Sequence, residues 1–63
     1  MLTKSTKERI NTSAITLFVN KGIKETSIRD IVLDVGLTEG AFYRHYKSKD
    51  ELVIKLFLEP YLE

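Results

Sequence analysis

The sequence has no cysteine, one proline, three glycines and a single histidine among its 63 residues. Without cysteine there is no disulfide framework, no thiolate metal cluster and no dithiol redox motif. One histidine, His45, does not make a zinc site by itself. No unbroken apolar run exceeds three residues, as at Leu52, Val53 and Ile54. That is far short of the roughly 18 that span a bilayer, and the N-terminus is polar rather than signal-like. No membrane partner and no cofactor are expected, and the expected location is cytoplasmic. A domain of this size buries only ~60% of the surface its unfolded chain exposes, so its stability is marginal. Period-2 strand patterns, repeats and low-complexity segments are also missing.

What is present is helical. Ser5-Thr6-Lys7-Glu8 has the spacing of a capping box. Behind it Ile10, Ala14, Leu17 and Phe18 form one apolar stripe of helical period. Gly22 stands where a left-handed residue would close this helix, with Ile23 placed to fold back onto Phe18. The spacing predicts a first helix over about 5–21. A second opens at Thr26 or Ser27, carries Ile28, Ile31, Val32 and Val35 at i, i+3, i+4 and i+7, and stops at Gly36, giving 27–35. Thr38 caps a third, 39–46. Two short helices joined by a glycine-containing turn outline a helix-turn-helix. The expected fold class is all-α: a short-helix bundle in which a three-helix, homeodomain-like DNA-binding unit over 1–47 precedes a fourth helix, 48–63.

That fourth segment opens with Ser48-Lys49-Asp50-Glu51, a second capping-box spacing with two acids in the first turn, and runs until Pro60 interrupts or kinks it. Its apolar residues surround most of the helix. Leu52, Val53, Leu56 and Phe57 supply core packing. Ile54, Leu58, Tyr61 and Leu62 are left to face either a partner or a further domain.

Four short helices offer little cavity for catalysis, and His45 has no acid at a dyad spacing, so no enzyme is expected. Asp30 and Asp34, one turn apart, read as a solvated face. The net charge of +1 conceals a division. Residues 1–49 carry nine basic side chains against five acidic ones, whereas residues 50–63 carry one against four. The helix-turn-helix half is basic and the last segment acidic, which suits one end facing phosphates and the other turned away.

On the third helix Phe42 and Tyr46, i and i+4, define a buried side. Gly40 and Arg44 then point away from it, with Ala41 and Tyr43 on the flanks. Small residues near the helix start and donors behind them allow close approach to base edges while phosphates are held. Tyr43 and His45 equally fit packing at the rim of a small core.

The order Arg9-Ile10, Ala14, Leu17-Phe18, Gly22, Thr26-Ser27, Ile28, Ile31, Gly36-Leu37-Thr38, Gly40, Phe42-Tyr43, His45-Tyr46, Lys49 and Leu52 resembles the DNA-binding region of the tetracycline-repressor (TetR) family of bacterial regulators. Residues 36–49 are the most specific part. Val32 and Val35 depart from the family's usual alanine.

The resemblance implies roles by position. Thr26 and Ser27 would hold a phosphate at the start of the second helix. Thr38, Tyr43, His45 and Lys49 match phosphate-contacting positions. Glu39, Gly40, Ala41 and Arg44 match positions that meet bases in the major groove. Arg44 would pair with guanine and Glu39 accept from cytosine, although Glu39 also favours its helix dipole simply by standing at that end. The resemblance further implies a larger helical domain beyond the fourth helix, absent here, that binds a small-molecule inducer and forms the homodimer. Such repressors engage palindromic double-stranded operators with half-sites about one helical turn apart. The competing expectation is a protein-interaction module that uses the apolar last helix.

Overall fold

Among the described residues each of the four α-helices starts on a hydroxyl side chain, and those four caps punctuate the chain. A computed structural model describes residues 5–59, all helices and turns with no strand among the described residues. Helix α1 is Thr6–Lys21, α2 Ile28–Val35, α3 Glu39–Tyr43 and α4 Lys49–Val53. A π-helical stretch, Ile54–Leu58, continues directly from α4.

The caps explain where each element begins. Ser5 and Glu8 form the reciprocal capping box that the spacing predicts. Ser27 rather than Thr26 caps α2, and Asp30 completes a second box there. Thr38 Oγ1 accepts from the Ala41 amide. At α4 the expected box is only half made: Ser48 accepts from the Glu51 amide, but the Glu51 carboxylate reaches past it to the Lys47 amide at 2.7 Å.

Glycine closes two of the helices. Gly36, at φ 75° and ψ 35°, is the left-handed residue that lets Leu37 N–H return to Val32 O at 2.8 Å. Gly22 has φ 100° but ψ 150°, so the chain leaves α1 extended rather than curling back. Ile23 is therefore left 42% exposed rather than sealed under the end of α1.

Two boundaries differ from expectation. Helix α3 was expected to reach Tyr46, yet its α-helical part ends at Tyr43. The amides of Arg44 and His45 bond three residues back, to Ala41 O and Phe42 O, tightening the last turn as helix ends commonly do. The fourth segment widens after Val53, with Glu59 N–H bonding to Ile54 O. No local residue type explains the widening. The expected break at Pro60 and the placements of Tyr61 and Leu62 lie outside the described residues.

The core is Ile10, Ala14 and Phe18 of α1, Ile31 and Val32 of α2, Phe42 and Tyr46 around α3, and Leu52 of α4. Leu17, Ile28, Leu37, Val53, Leu56 and Phe57 pack against it. Polar ties add to this. Arg9 Nη2 donates to Val35 O at 2.7 Å, capping the end of α2 from α1. Ser13 Oγ donates to Asp34 Oδ2 at 2.6 Å, and Lys21 Nζ meets Asp30 Oδ2 at 2.9 Å. Asp30 and Asp34 are thus not merely a solvated face: each joins α1 to α2. The backbone N–H of Ser27, and then Lys21, hold the Asp30 carboxyl at a pKa of about 2, down from 3.8.

Candidate nucleic-acid interface

Helix α3 is anchored from behind by aromatic rings. Phe42 is 0% and Tyr46 2% exposed, with ring centroids 5.8 Å apart. Tyr46 Oη donates to Asn11 Oδ1 at 2.6 Å, across 35 residues of sequence, and Lys7 Nζ lies 5.6 Å from the Tyr46 ring centre. Burial pushes the Tyr46 phenol above its ordinary pKa. Asn11 has no motif that singles it out in sequence, because its partner is brought to it only by the packing of α3 against α1.

With that side fixed, the opposite side is set. Thr38, Glu39, Gly40, Tyr43, Arg44 and His45 are exposed, and Ala41 is partly so. Of these, Gly40 and Arg44 lie opposite Phe42 and Tyr46 on the helix, and the others surround them along α3 and its last tight turn. Tyr43 is 49% exposed yet stacks edge-on against Phe42 at 5.5 Å and 89°, so its ring packs at the rim of the core. His45 is exposed, with its backbone N–H on Phe42 O, and does not pack in the core.

Gly40 is informative for what it does not need. A Cβ there would meet only Thr38 Oγ1, at 3.8 Å, which is ordinary contact. Its φ is not positive either. Neither packing nor backbone geometry calls for glycine, although glycine costs a helix roughly 0.5–1 kcal/mol relative to alanine. The bare backbone is left facing outward.

The other expected residues divide. Ser27 is exposed; its Oγ accepts from the Asp30 amide, and its own amide is taken by Asp30 Oδ2. Thr26 is 0% exposed, and its Oγ1 donates to Gly22 O at 2.8 Å, with Leu17 O at 3.3 Å. That geometry corrects its expected place beside Ser27: the hydroxyl is turned inward to satisfy the end of α1. Lys49 is partly buried, and its Nζ donates to Ile23 O at 2.8 Å and Thr26 O at 3.0 Å. Among the described residues no group of three or more His, Asp or Glu side chains could hold a metal. No helix there is long and apolar enough to cross a membrane.

A capped helix, a left-handed glycine turn and a short helix presenting a polar face define a helix-turn-helix domain. The family model described as bacterial regulatory proteins, tetR family, matches residues 10–56, and the chain belongs to that family. It is 46% identical over 48 residues to the uncharacterised HTH-type transcriptional regulator YerO of Bacillus subtilis, covering 76% of this chain and 17% of that protein. It is 37% identical over 49 residues to the HTH-type transcriptional repressor KstR2 of Mycolicibacterium smegmatis, covering 78% of this chain and 24% of that one. The chain thus spans a quarter or less of these two relatives. Both are named as transcriptional regulators. Among solved structures, the crystal structure of the superantigen pfit superposes with a TM-score of 0.78 at 36% identity, over 84% of this chain and 27% of that one.

Proposed function

We propose that this chain is the sequence-specific, double-stranded DNA-binding part of a TetR-family transcriptional regulator. The observation that carries the proposal is the outward face of α3, where a glycine that packing does not require stands beside Glu39, Ala41 and Arg44. Gly40 and Arg44 point away from the buried Phe42 and Tyr46, with Ala41 on the flank. Glu39, Gly40, Ala41 and Arg44 enter the major groove, with Arg44 donating to guanine and Glu39 accepting from cytosine. Ser27, Thr38, Tyr43 and His45 hold phosphates on either side. The regulator acts without enzymatic chemistry, in the cytoplasm, as a repressor. It binds a palindromic operator as a homodimer made by a larger C-terminal domain, and a small-molecule inducer held there releases it. In support, the relatives are several times longer than this chain. Ile54 and Leu58, 42% and 54% exposed, lie on the side of the last segment turned away from the core, where further helices would dock.

Fluorescence anisotropy of a labelled mixed-sequence duplex, titrated with the chain at low salt, tests the proposal. Binding at roughly micromolar concentration that weakens steeply with added salt is expected, as phosphate neutralisation releases counterions. No salt-sensitive binding would overturn it in favour of a protein-interaction module built on Ile54 and Leu58.

A further inference from the structure

Of the four residues proposed to meet bases, Glu39 and Arg44 carry charges and Gly40 carries no side chain. Ala41 alone offers a hydrocarbon. It is partly exposed, and its main-chain groups are engaged within the helix: the amide donates to Thr38 Oγ1 at 3.1 Å, and the carbonyl accepts from the Arg44 amide at 3.3 Å. What it presents outward is a methyl group. On the major-groove edge of DNA, donors and acceptors distinguish the base pairs, and the one apolar feature is the 5-methyl group of thymine. An alanine side chain reaches a single carbon beyond the main chain, so two methyl groups touch only where the helix backbone comes close to the bases. Gly40 supplies that approach. It directly precedes Ala41, and neither packing nor a positive φ calls for glycine there.

Ala41 and Arg44 are also fixed relative to each other. The bond from the Arg44 amide to Ala41 O closes one tight turn, so the two side chains are surface neighbours, with Cβ atoms roughly 5–6 Å apart. Successive base pairs are spaced by ~3.4 Å. The separation therefore corresponds to one or two base steps, and the length of the arginine side chain adds about one more. We infer that Ala41 reads the 5-methyl group of a thymine, and that this thymine stands within three base pairs of the guanine taken by Arg44. The inference rests on the DNA-binding reading and adds to it a base identity, recognised by apolar contact rather than by hydrogen bonds, at one position of each half-site.

The test alters the DNA one methyl group at a time. A site is enriched from randomised duplex with the 63-residue chain, and each thymine in it is then replaced singly by deoxyuridine, which keeps the pairing edge and removes only the 5-methyl group. At least one thymine per half-site is expected to lose about fourfold in affinity, the contribution of one buried methyl group, with the slope of log K against log salt unchanged. Arg44→Ala marks the guanine, as the base pair at which preference relaxes. In Ala41→Gly the sensitive thymine and its deoxyuridine replacement are expected to bind alike, within about 1.5-fold, which closes a double-mutant cycle between one methyl of the protein and one of the DNA. Three results overturn the inference while DNA binding stands: no thymine whose methyl group matters, a sensitive thymine farther than three base pairs from that guanine, or a deoxyuridine penalty that persists in Ala41→Gly. The first two need no Ala41 variant to fold. If no sequence is enriched at all, the functional reading fails and this inference with it.

Discussion

Replacing Gly40 with alanine should make the protein more stable and a poorer binder of DNA. Glycine in a helix costs roughly 0.5–1 kcal/mol relative to alanine through the backbone entropy it loses on folding. Here nothing offsets a gain of that size: the new methyl meets only Thr38 Oγ1, at 3.8 Å, and Gly40 does not have the positive φ that alanine resists. Because 1 kcal/mol moves the Tm of a domain this small by roughly 4–8 °C, a rise of about 2–8 °C is expected in circular-dichroism melts. Gly36 is the internal control. It too has open space, but its φ of 75° makes an alanine strained, so Gly36→Ala should lower stability, by roughly 1 kcal/mol. Anisotropy on a selected operator completes the experiment. In the proposed complex the Gly40→Ala methyl would stand between α3 and the base edges, so affinity should fall although the fold is firmer. A variant with raised Tm and undiminished binding would refute the claim that Gly40 lies against DNA. A lowered Tm would refute the account of its local geometry.

Three further outcomes are expected. Tyr46→Phe keeps the buried ring and loses the 2.6 Å bond to Asn11; chemical denaturation should show a cost of ~0.5–1.5 kcal/mol, while DNA affinity below the melt stays within about twofold because Tyr46 faces inward. Arg44→Ala should cost ~1–3 kcal/mol in operator binding and relax preference at one base pair, read by competition with single-base-pair variants of the site. The third concerns pH. Asp30 is depressed to about 2 from 3.8, so its contribution to stability is complete above 3.8 and is lost as pH falls towards 2. Thermal melts of the native chain and Asp30→Asn should therefore differ at neutral pH and converge across that window; a constant difference would show that the capping carboxylate does not govern acid sensitivity.

Much of the architecture is written locally. Ser5 and Glu8, Thr38, Ser48 and Gly36 act through hydrogen bonds or backbone conformations that span three to five residues, so their spacing announces helix starts and stops. The apolar periods of α1 and α2 similarly announced Ile10, Ala14, Phe18, Ile31 and Val32 as core. The outward direction of Gly40 and Arg44, with Ala41 and Tyr43 on the flanks, followed from one assumption, that Phe42 and Tyr46 point inward, and both are buried; Glu39 joined that set only through the family resemblance.

What sequence did not determine was the partner of each polar group. Thr26 and Ser27 are adjacent hydroxyls with equal capping capacity, yet one is sealed under the end of α1 and the other faces out. Lys49 carries the same charge as Lys47, but only the approach of the α1–α2 loop gives it two carbonyls to bind. Arg9 with Val35 O, Ser13 with Asp34 and Asn11 with Tyr46 are joined across 21 to 35 residues. A cap or a stripe is satisfied within a turn or two, so sequence by itself decides it. A hydrogen bond across the fold exists only after helices have packed, and so tertiary structure alone decided which hydroxyls and cations remain free to meet DNA.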